Sequence, residues 1–253
     1  MKGSDVWPEP RGALTLIHEE VQVWRASLEQ PPGVASHLRL TLSEDERERA
    51  ARFHFERDRV RFVNARAALR SILGRYLDVP PGCLRFSYGA HGKPSLSSEF
   101  VAGPAGVGLE FNVSHSHTLA LVAVARGRAL GVDIERLRND TAGRQIAEHF
   151  FSAQEVAALC ALPDAEQSRA FFDCWTRKEA FIKARGEGLS FPLAEFDVSL
   201  QRDAPAALLH VRGDAREAGR WSLRALDVGP DYAAALAVEG SGWRLRTWQW
   251  EPR

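Results

Sequence analysis

The sequence is short of several things, and each shortage narrows what it can be. Only four of its 33 basic residues are lysine, at positions 2, 93, 178 and 183. Cysteine occurs three times, as Cys83, Cys160 and Cys174. They form neither a metal-ligand spacing nor an even-numbered disulfide framework, so the reduced thiols of a cytoplasmic protein are expected. Apolar runs such as Leu119 to Ala125 fall far short of the roughly 20 residues a bilayer requires. The opening Met1-Lys2-Gly3-Ser4-Asp5 has no apolar core of the secretory kind. Net charge is missing too. Basic and acidic residues number 33 each, which argues against attachment to nucleic acid or membrane by bulk positive charge. What is present is ordinary for a globular protein: 45% hydrophobic and 26% charged residues in a chain of 253. That excludes disorder and collagen-like repeats. The length suits one large domain or two of roughly 100–150 residues.

Local patterns give α+β elements in two runs. Residues 14–24 read as strand, with apolar and β-branched residues in partial alternation. Ser43 and Glu46 form a capping box that opens a helix. A long helix is expected over 58–77, with Phe62, Ala65, Leu69, Ile72, Leu73 and Tyr76 on its apolar stripe. Gly89 to Pro94 is a loop, 111–117 and 119–125 are strand, and Arg126-Gly127-Arg128 reads as a hairpin turn into the strand 130–135. Ser152 with Glu155 caps another helix, and a second long helix is expected over 166–185, stopped by Gly186. Strands follow at 196–200, 208–211, 221–226, 232–238 and 243–250. The repeated order of strand, helices and strands fits two similar α+β halves, 1–127 and 128–253.

Five groups of residues carry chemistry. Asp133 and Glu135 are i and i+2 on a strand, so both carboxylates share one face. A hard cation such as Mg²⁺ would relieve their repulsion, with substrate phosphates completing its shell; a solvated strand face is the plainer alternative. Glu179 and Lys183 are i and i+4 on the second long helix. An isolated surface pair of this kind means little, but this one borders the apolar stripe of Phe171, Trp175 and Ile182, and it uses lysine where the chain otherwise chooses arginine. Ser114 and His115 offer a hydroxyl and an imidazole to a phosphate oxygen. A Ser-His protease reading fails for want of a nucleophile elbow. Lys93, between Gly92 and Pro94, is a point charge on a restrained backbone, although no P-loop is present. Of Arg49, Arg59, Arg61, Arg66 and Arg70, Arg61 falls nearest the flank of the apolar stripe, and the others read as solvated. The combination is that of a Mg²⁺-dependent enzyme acting on a phosphate-rich ligand.

The set Gly92-Lys93-Pro94, Phe111-Asn112-Val113-Ser114-His115, Gly131-Val132-Asp133-Ile134-Glu135 and Trp175 to Leu189 (W-x-x-K-E-A-x-x-K-x-x-G-x-G-L) resembles the Sfp-type 4'-phosphopantetheinyl transferases, in order and spacing, over roughly residues 40–200. The resemblance implies two similar α+β halves related by a pseudo-twofold, with the active site and coenzyme A in the cleft between them. It implies transfer of the phosphopantetheine arm to a serine of an apo acyl, polyketide or peptidyl carrier protein, with release of adenosine 3',5'-bisphosphate. Carried over residue by residue, Asp133, Glu135 and Glu179 hold Mg²⁺, Lys183 meets the diphosphate, and Glu179, Lys183 and Asp133 are the catalytic set. Lys93, Pro94, Ser114 and His115 hold the adenylate end, and Arg61 with Arg49 the 3'-phosphate. Glu46 departs from relatives that carry a second basic residue there.

Other classes remain to be weighed: a coenzyme A or carrier-binding module without catalysis, and a metal nuclease using the same acids. Intact Asp133, Glu135, Glu179 and Lys183 argue against the first. Neutral charge and the lack of an aromatic-basic stripe argue against the second. A monomer is expected, since both halves lie in one chain. The carrier is expected to dock near residues 136–160, steered by Arg136, Arg138 and Arg144 and anchored by Ile146 or Phe150.

Overall fold

The computed structural model describes residues 7–89, 92–103, 105–138, 142–200 and 204–252, with the side chains of residues 142 and 189 excepted. Two compact units emerge. One ends at Gly127 and regains the chain from Arg244 onward; the other is Arg128–Trp243.

The first unit runs β1 (Glu20–Ser27), α1 (Pro32–Leu38), α2 (Glu44–Ala51), α3 (Glu56–Leu77), β2 (Phe86–Tyr88), β3 (Pro94–Leu96), α4 (Ser98–Val101), β4 (Leu109–Ser116) and β5 (Leu119–Arg126). The second runs β6 (Leu130–Arg136), α5 (Ala142–Phe150), α6 (Ala153–Cys160), α7 (Asp164–Arg185), β7 (Phe196–Val198), β8 (Leu208–Val211), β9 (Trp221–Ala225) and β10 (Tyr232–Glu239). The last strand, β11 (Arg244–Trp250), pairs in parallel with β1. The sheets are ordered β11-β1-β5-β4 and β6-β10-β9. Leaving out β11 and the one-turn α4, the two units have the same sequence of elements, the same strand order and a 22-residue helix in the same place.

Three sequence expectations are corrected here. Gly127 does not close a hairpin: β5 pairs with β1 and β4, whereas β6 pairs with β10. The turn residues are those of a hairpin, but each strand finds partners in its own unit, and Gly127 lies in the linker. Nor does the second half extend to residue 253. Its last strand lies beside β1, where Trp248 Nε1 donates to Gln22 Oε1 at 3.0 Å and Arg246 pairs with the buried Glu20 at 3.0 Å. The strand expected over 14–24 begins only at Glu20 and continues to Ser27.

Each unit is tied together by a buried acid–cation pair. Ser43 and Glu46 form the expected capping box on α2, and Ser152 and Glu155 the one on α6. Both glutamates are 2% exposed and reach the fifteenth residue of the neighbouring long helix. Glu46 meets Arg70 at 2.6 Å, and Glu155 meets Lys178 at 2.7 Å. Each cation also donates to backbone carbonyls, Arg70 to Pro81 and Leu84 and Lys178 to Leu193 and Phe196. Arg70 is therefore not a solvated helix charge as the wheel suggests. It is among the most buried side chains, because Glu46 neutralises it in place. The same contact accounts for an acid at position 46.

Removing one partner of a buried pair strands the other charge, at about 3–5 kcal/mol. Lys178→Ala is expected to lose that much unfolding free energy in chemical denaturation. Arg144→Ala, which breaks an exposed pair with Glu148, should lose less than about 0.5 kcal/mol. Similar small losses in both would show that Lys178 is not a structural tie.

Candidate functional site

The carboxylates flagged by the sequence come together along the seam between β6 and α7. Helix α7 starts after Pro163 with Asp164 and Glu166 in its first turn and carries Lys183 and Arg185 in its last, so its dipole is complemented at both ends, and Gly186, whose φ is 76°, stops it. Gly131 lets strand and helix approach. A Cβ there would stand 2.2 Å from the Ala180 carbonyl oxygen and 2.4 Å from the Ala184 nitrogen, so no side chain fits. On β10, Ala233, Ala235 and Ala237 lie opposite Glu135, Asp133 and Gly131, again leaving room for the helix. Because side chains alternate along a strand, Gly131, Asp133 and Glu135 share the face turned to α7, while Val132 and Ile134 are buried on the other.

On that seam Lys183 Nζ donates to Asp133 Oδ1 at 2.6 Å. Asp133 is 2% exposed; Glu135, Glu179 and Lys183 are half-buried. Burial opposes the charge on Lys183, yet attraction and hydrogen bonding to Asp133, with Glu179 and Glu135 adding, raise its pKa above the ordinary value. Glu179 is pushed up to about 7, first by burial and then by Asp133 and Glu135, with Lys183 opposing. Among the described residues no three His, Cys, Asp or Glu side chains are drawn tightly enough together to cage an ion. The donor set is nonetheless that of a hard divalent cation: three carboxylates balanced by one ammonium.

The motif run from Trp175 thus serves two ends. Trp175 sits among Phe150, Phe151 and Phe171 at centroid distances of 5.9–6.4 Å, and Lys178 is internal. Only Glu179 and Lys183 serve the acid seam. Glu155 is likewise structural, its second oxygen accepting from the Val198 amide at 2.8 Å.

In the first unit, Arg49, Arg61, Pro94 and His115 border one groove of about 490 Å³. Arg49 stacks on Phe62 at 5.3 Å, and Arg61 lies 3.6 Å from Glu29. Arg66, read from the helical wheel as solvated, also lines this groove, as do Tyr88 and His117, which the sequence did not single out. Arg66 donates to Tyr88 at 2.9 Å and stacks over Phe86 at 4.9 Å. Arg66 was misread because its partners Glu46 and Tyr88 are distant in sequence; Tyr88 and His117 gave no signal. Two expected residues do not line it. Ser114 is buried, one position from His115 and hence on the opposite strand face. Lys93 precedes Pro94; burial lowers its pKa, and the attraction of Glu110 partly restores it.

Around residues 136–160, Phe150 is exposed and Phe151 buried, while Ile146 packs against the second unit's core. Arg138 stacks on Phe172 at 6.0 Å and Arg144 pairs with Glu148. Residues 139–141 lie outside the described residues. No helix of the described chain is long and apolar enough to cross a membrane.

The raised pKa of Glu179 has a thermodynamic consequence. Between its ordinary 4.5 and about 7 the folded chain binds more protons than the unfolded one, so stability falls as pH rises through that window and the full penalty stands above it. Glu179→Gln removes the penalty. In cation-free buffer at pH 8 the variant is expected to be more stable than the parent, by an amount on the order of 2 kcal/mol after allowance for partial exposure, with no difference of that sign near pH 4. Parallel stability–pH curves for the two proteins would contradict a crowded carboxylate here.

Comparison with known proteins matches both units. Residues 129–237 fit the family model of the 4'-phosphopantetheinyl transferase superfamily, and residues 23–126 fit that of the 4'-phosphopantetheinyl transferase N-terminal region. The 4'-phosphopantetheinyl transferase HetI of Nostoc sp. is 42% identical over 243 residues, which is 96% of this chain and 97% of that protein. The 4'-phosphopantetheinyl transferase Sfp of Bacillus subtilis is 32% identical over 167 residues, 66% of this chain and 70% of that one. A crystal structure of Thermotoga maritima holo-[acyl-carrier-protein] synthase overlaps 45% of this chain and 63% of its own at 19% identity and a TM-score of 0.36, too little to bear on the fold. With two family models laid end to end along it and a relative matched over nearly its whole length, this chain belongs to the 4'-phosphopantetheinyl transferase superfamily and is a phosphopantetheinyl transferase.

Proposed function

We propose that the chain transfers the 4'-phosphopantetheine arm of coenzyme A to a serine hydroxyl of an apo carrier protein, and that the acid seam is where Mg²⁺ and the diphosphate are held. The observation that carries this reading is the meeting of Asp133, Glu135, Glu179 and Lys183 at one strand–helix seam in a member of this superfamily. Asp133, Glu135 and Glu179 are the residues that would hold Mg²⁺, which supplies charge neutralisation for the diphosphate when bound.

The rest is chemistry of the chain's own side chains. Serine is a poor nucleophile at its free pKa, so a base must take its proton. Glu179, a carboxylate at this seam, is suited to accept it, directly or through one water. The serine oxygen then bonds to the β-phosphorus and the anhydride bond breaks, leaving adenosine 3',5'-bisphosphate. Lys183 donates to the diphosphate and stabilises the charge that develops on the leaving oxygen. Arg49 and Arg61, in the basic groove, are assigned to the 3'-phosphate, and Lys93, Pro94, Ser114 and His115 to the adenylate end and its phosphates, Lys93 reaching the 3'-phosphate with Arg61. The carrier is assigned to the surface near 136–160, with Phe150, the exposed one of its two candidate anchors, as the apolar contact.

Asp133→Ala, Glu135→Ala and Glu179→Ala should each abolish most of the mass gain of one phosphopantetheine arm on apo carrier protein in the presence of coenzyme A and Mg²⁺, while circular dichroism stays that of the parent. Near-normal transfer in any of the three at limiting Mg²⁺ would remove that residue from the set. A mass gain that never occurs with the parent protein would refute the transfer itself.

Arg61→Ala and Lys93→Ala should weaken coenzyme A at least tenfold, about 1.4 kcal/mol, while weakening dephospho-coenzyme A much less, since only the former carries the 3'-phosphate. Equal losses for the two ligands, measured by calorimetry, would place these side chains elsewhere.

A further inference from the structure

We propose that Tyr88 is the platform on which the adenine base of coenzyme A stacks, and that Arg66 is the positioning residue that holds its ring. The inference rests on the transferase reading above and adds to it the side chain that meets the base.

Tyr88 stands in the wall of the first unit's groove of about 490 Å³, together with Arg49, Arg61, Pro94 and His115. A tyrosine usually hides the apolar body of its ring, yet this one is 45% exposed. The groove has two further aromatic rings, and both are engaged elsewhere. Phe53 and Phe62 pack at a centroid distance of 5.2 Å, and the Arg49 guanidinium lies 5.3 Å over Phe62. Tyr88 is the one exposed aromatic side chain among the described residues that line the groove.

The sheet beneath Tyr88 extends the platform. Strands β2 and β3 are antiparallel, with Tyr88 directly opposite Pro94. Residues opposite one another in such a pair point to the same face. The phenol and pyrrolidine rings therefore make one apolar strip, and both line the groove. A purine, flat and apolar on its faces, suits such a strip.

The ring is also held from behind. Arg66 Nη2 donates to the Tyr88 hydroxyl at 2.9 Å, and Arg66 Nε donates to Glu46 Oε1 at 2.6 Å. Glu46 is itself buried and fixed by Arg70. The Arg66 guanidinium rests 4.9 Å over Phe86, at the start of the strand that carries Tyr88. A run of contacts thus leads from a buried carboxylate to the exposed ring. A side chain ordered in advance loses little freedom when a ligand arrives.

The neighbouring cations select the kind of ring. Arg49 and Arg61 border the same groove and are assigned above to the 3'-phosphate. In coenzyme A the base and the 3'-phosphate sit on one ribose, so the base must come to rest close to those arginines.

The full chain is titrated with adenosine 3',5'-bisphosphate. Affinity is read by calorimetry, and the adenine H2 and H8 resonances by NMR. Stacking over an aromatic ring moves both resonances upfield. That shift is expected with the parent protein and with Tyr88→Phe, which keeps the ring. It should vanish with Tyr88→Leu, which should also bind about tenfold more weakly. Methyl ribofuranoside 3,5-bisphosphate, which has the phosphates and no base, should bind the parent and Tyr88→Leu equally. Unmoved H2 and H8 in the bound parent, loss of the shift in Tyr88→Phe, or equal weakening of both ligands by Tyr88→Leu would overturn the platform and leave the transferase reading standing. If the parent bound neither adenosine 3',5'-bisphosphate nor coenzyme A, both would fall.

Discussion

A buried carboxylate joined to a buried cation holds the short helix, the long helix and the following loop of each unit in register. Taking either charge out of water alone would cost several kcal/mol. The cost is offset because each partner is saturated. Lys178 has three donors and meets one carboxylate oxygen and two carbonyls, and Glu155 caps its own helix, pairs with Lys178 and accepts from Val198. With α7 held in this way, the strand–helix approach at Gly131 can be as close as it is, and the side chains two and four residues further along β6 are delivered to one seam.

The two units use one plan for different ends. In the second, the sixteenth and twentieth residues of the long helix are Glu179 and Lys183, and the strand beneath offers Asp133 and Glu135. In the first, the same helix positions are Ser71 and Arg75, and Arg75 lies over the ring of Trp24 at 5.3 Å. Trp24 in turn donates to Tyr76 at 2.8 Å within a packed aromatic group. Where one copy gathers carboxylates at the helix–strand seam, the other fills it with an aromatic ring. Among the described residues, carboxylates therefore gather beside the long helix at only one of the two seams.

What the sequence made legible was local. Capping boxes at Ser43 and Ser152 named two helix starts, and apolar periodicity bounded the two long helices to within two residues at either end. Strand and helix spacing put Asp133 with Glu135 and Glu179 with Lys183 on one face each, but it was the family resemblance that made the two pairs one site. What escaped was non-local. Arg126-Gly127-Arg128 has hairpin chemistry, yet strand pairing is decided by distant partners. The return of β11 to β1 leaves no mark on its own residues. Arg70 lay off the apolar stripe and looked solvated, because its neutralising partner is 24 positions away. Ser114 and His115, adjacent in sequence, part to opposite faces once they lie on a strand.

The scarcity of lysine acquires a physical sense at positions 178 and 183. At 178 the ammonium's three donors meet three acceptors, one carboxylate oxygen and two carbonyls; the first unit, using Arg70, meets its three through Nε and Nη1 of a planar guanidinium. At 183 the argument concerns exchange rather than fit. An arginine against Asp133 would form a two-pronged clamp that holds the carboxylate in one orientation. A lysine presents a compact charge on a flexible stem, so the pair with Asp133 is less rigidly oriented than a guanidinium clamp would be, which is what the proposed exchange of partners, Asp133 to a cation and Lys183 to a phosphate oxygen, requires.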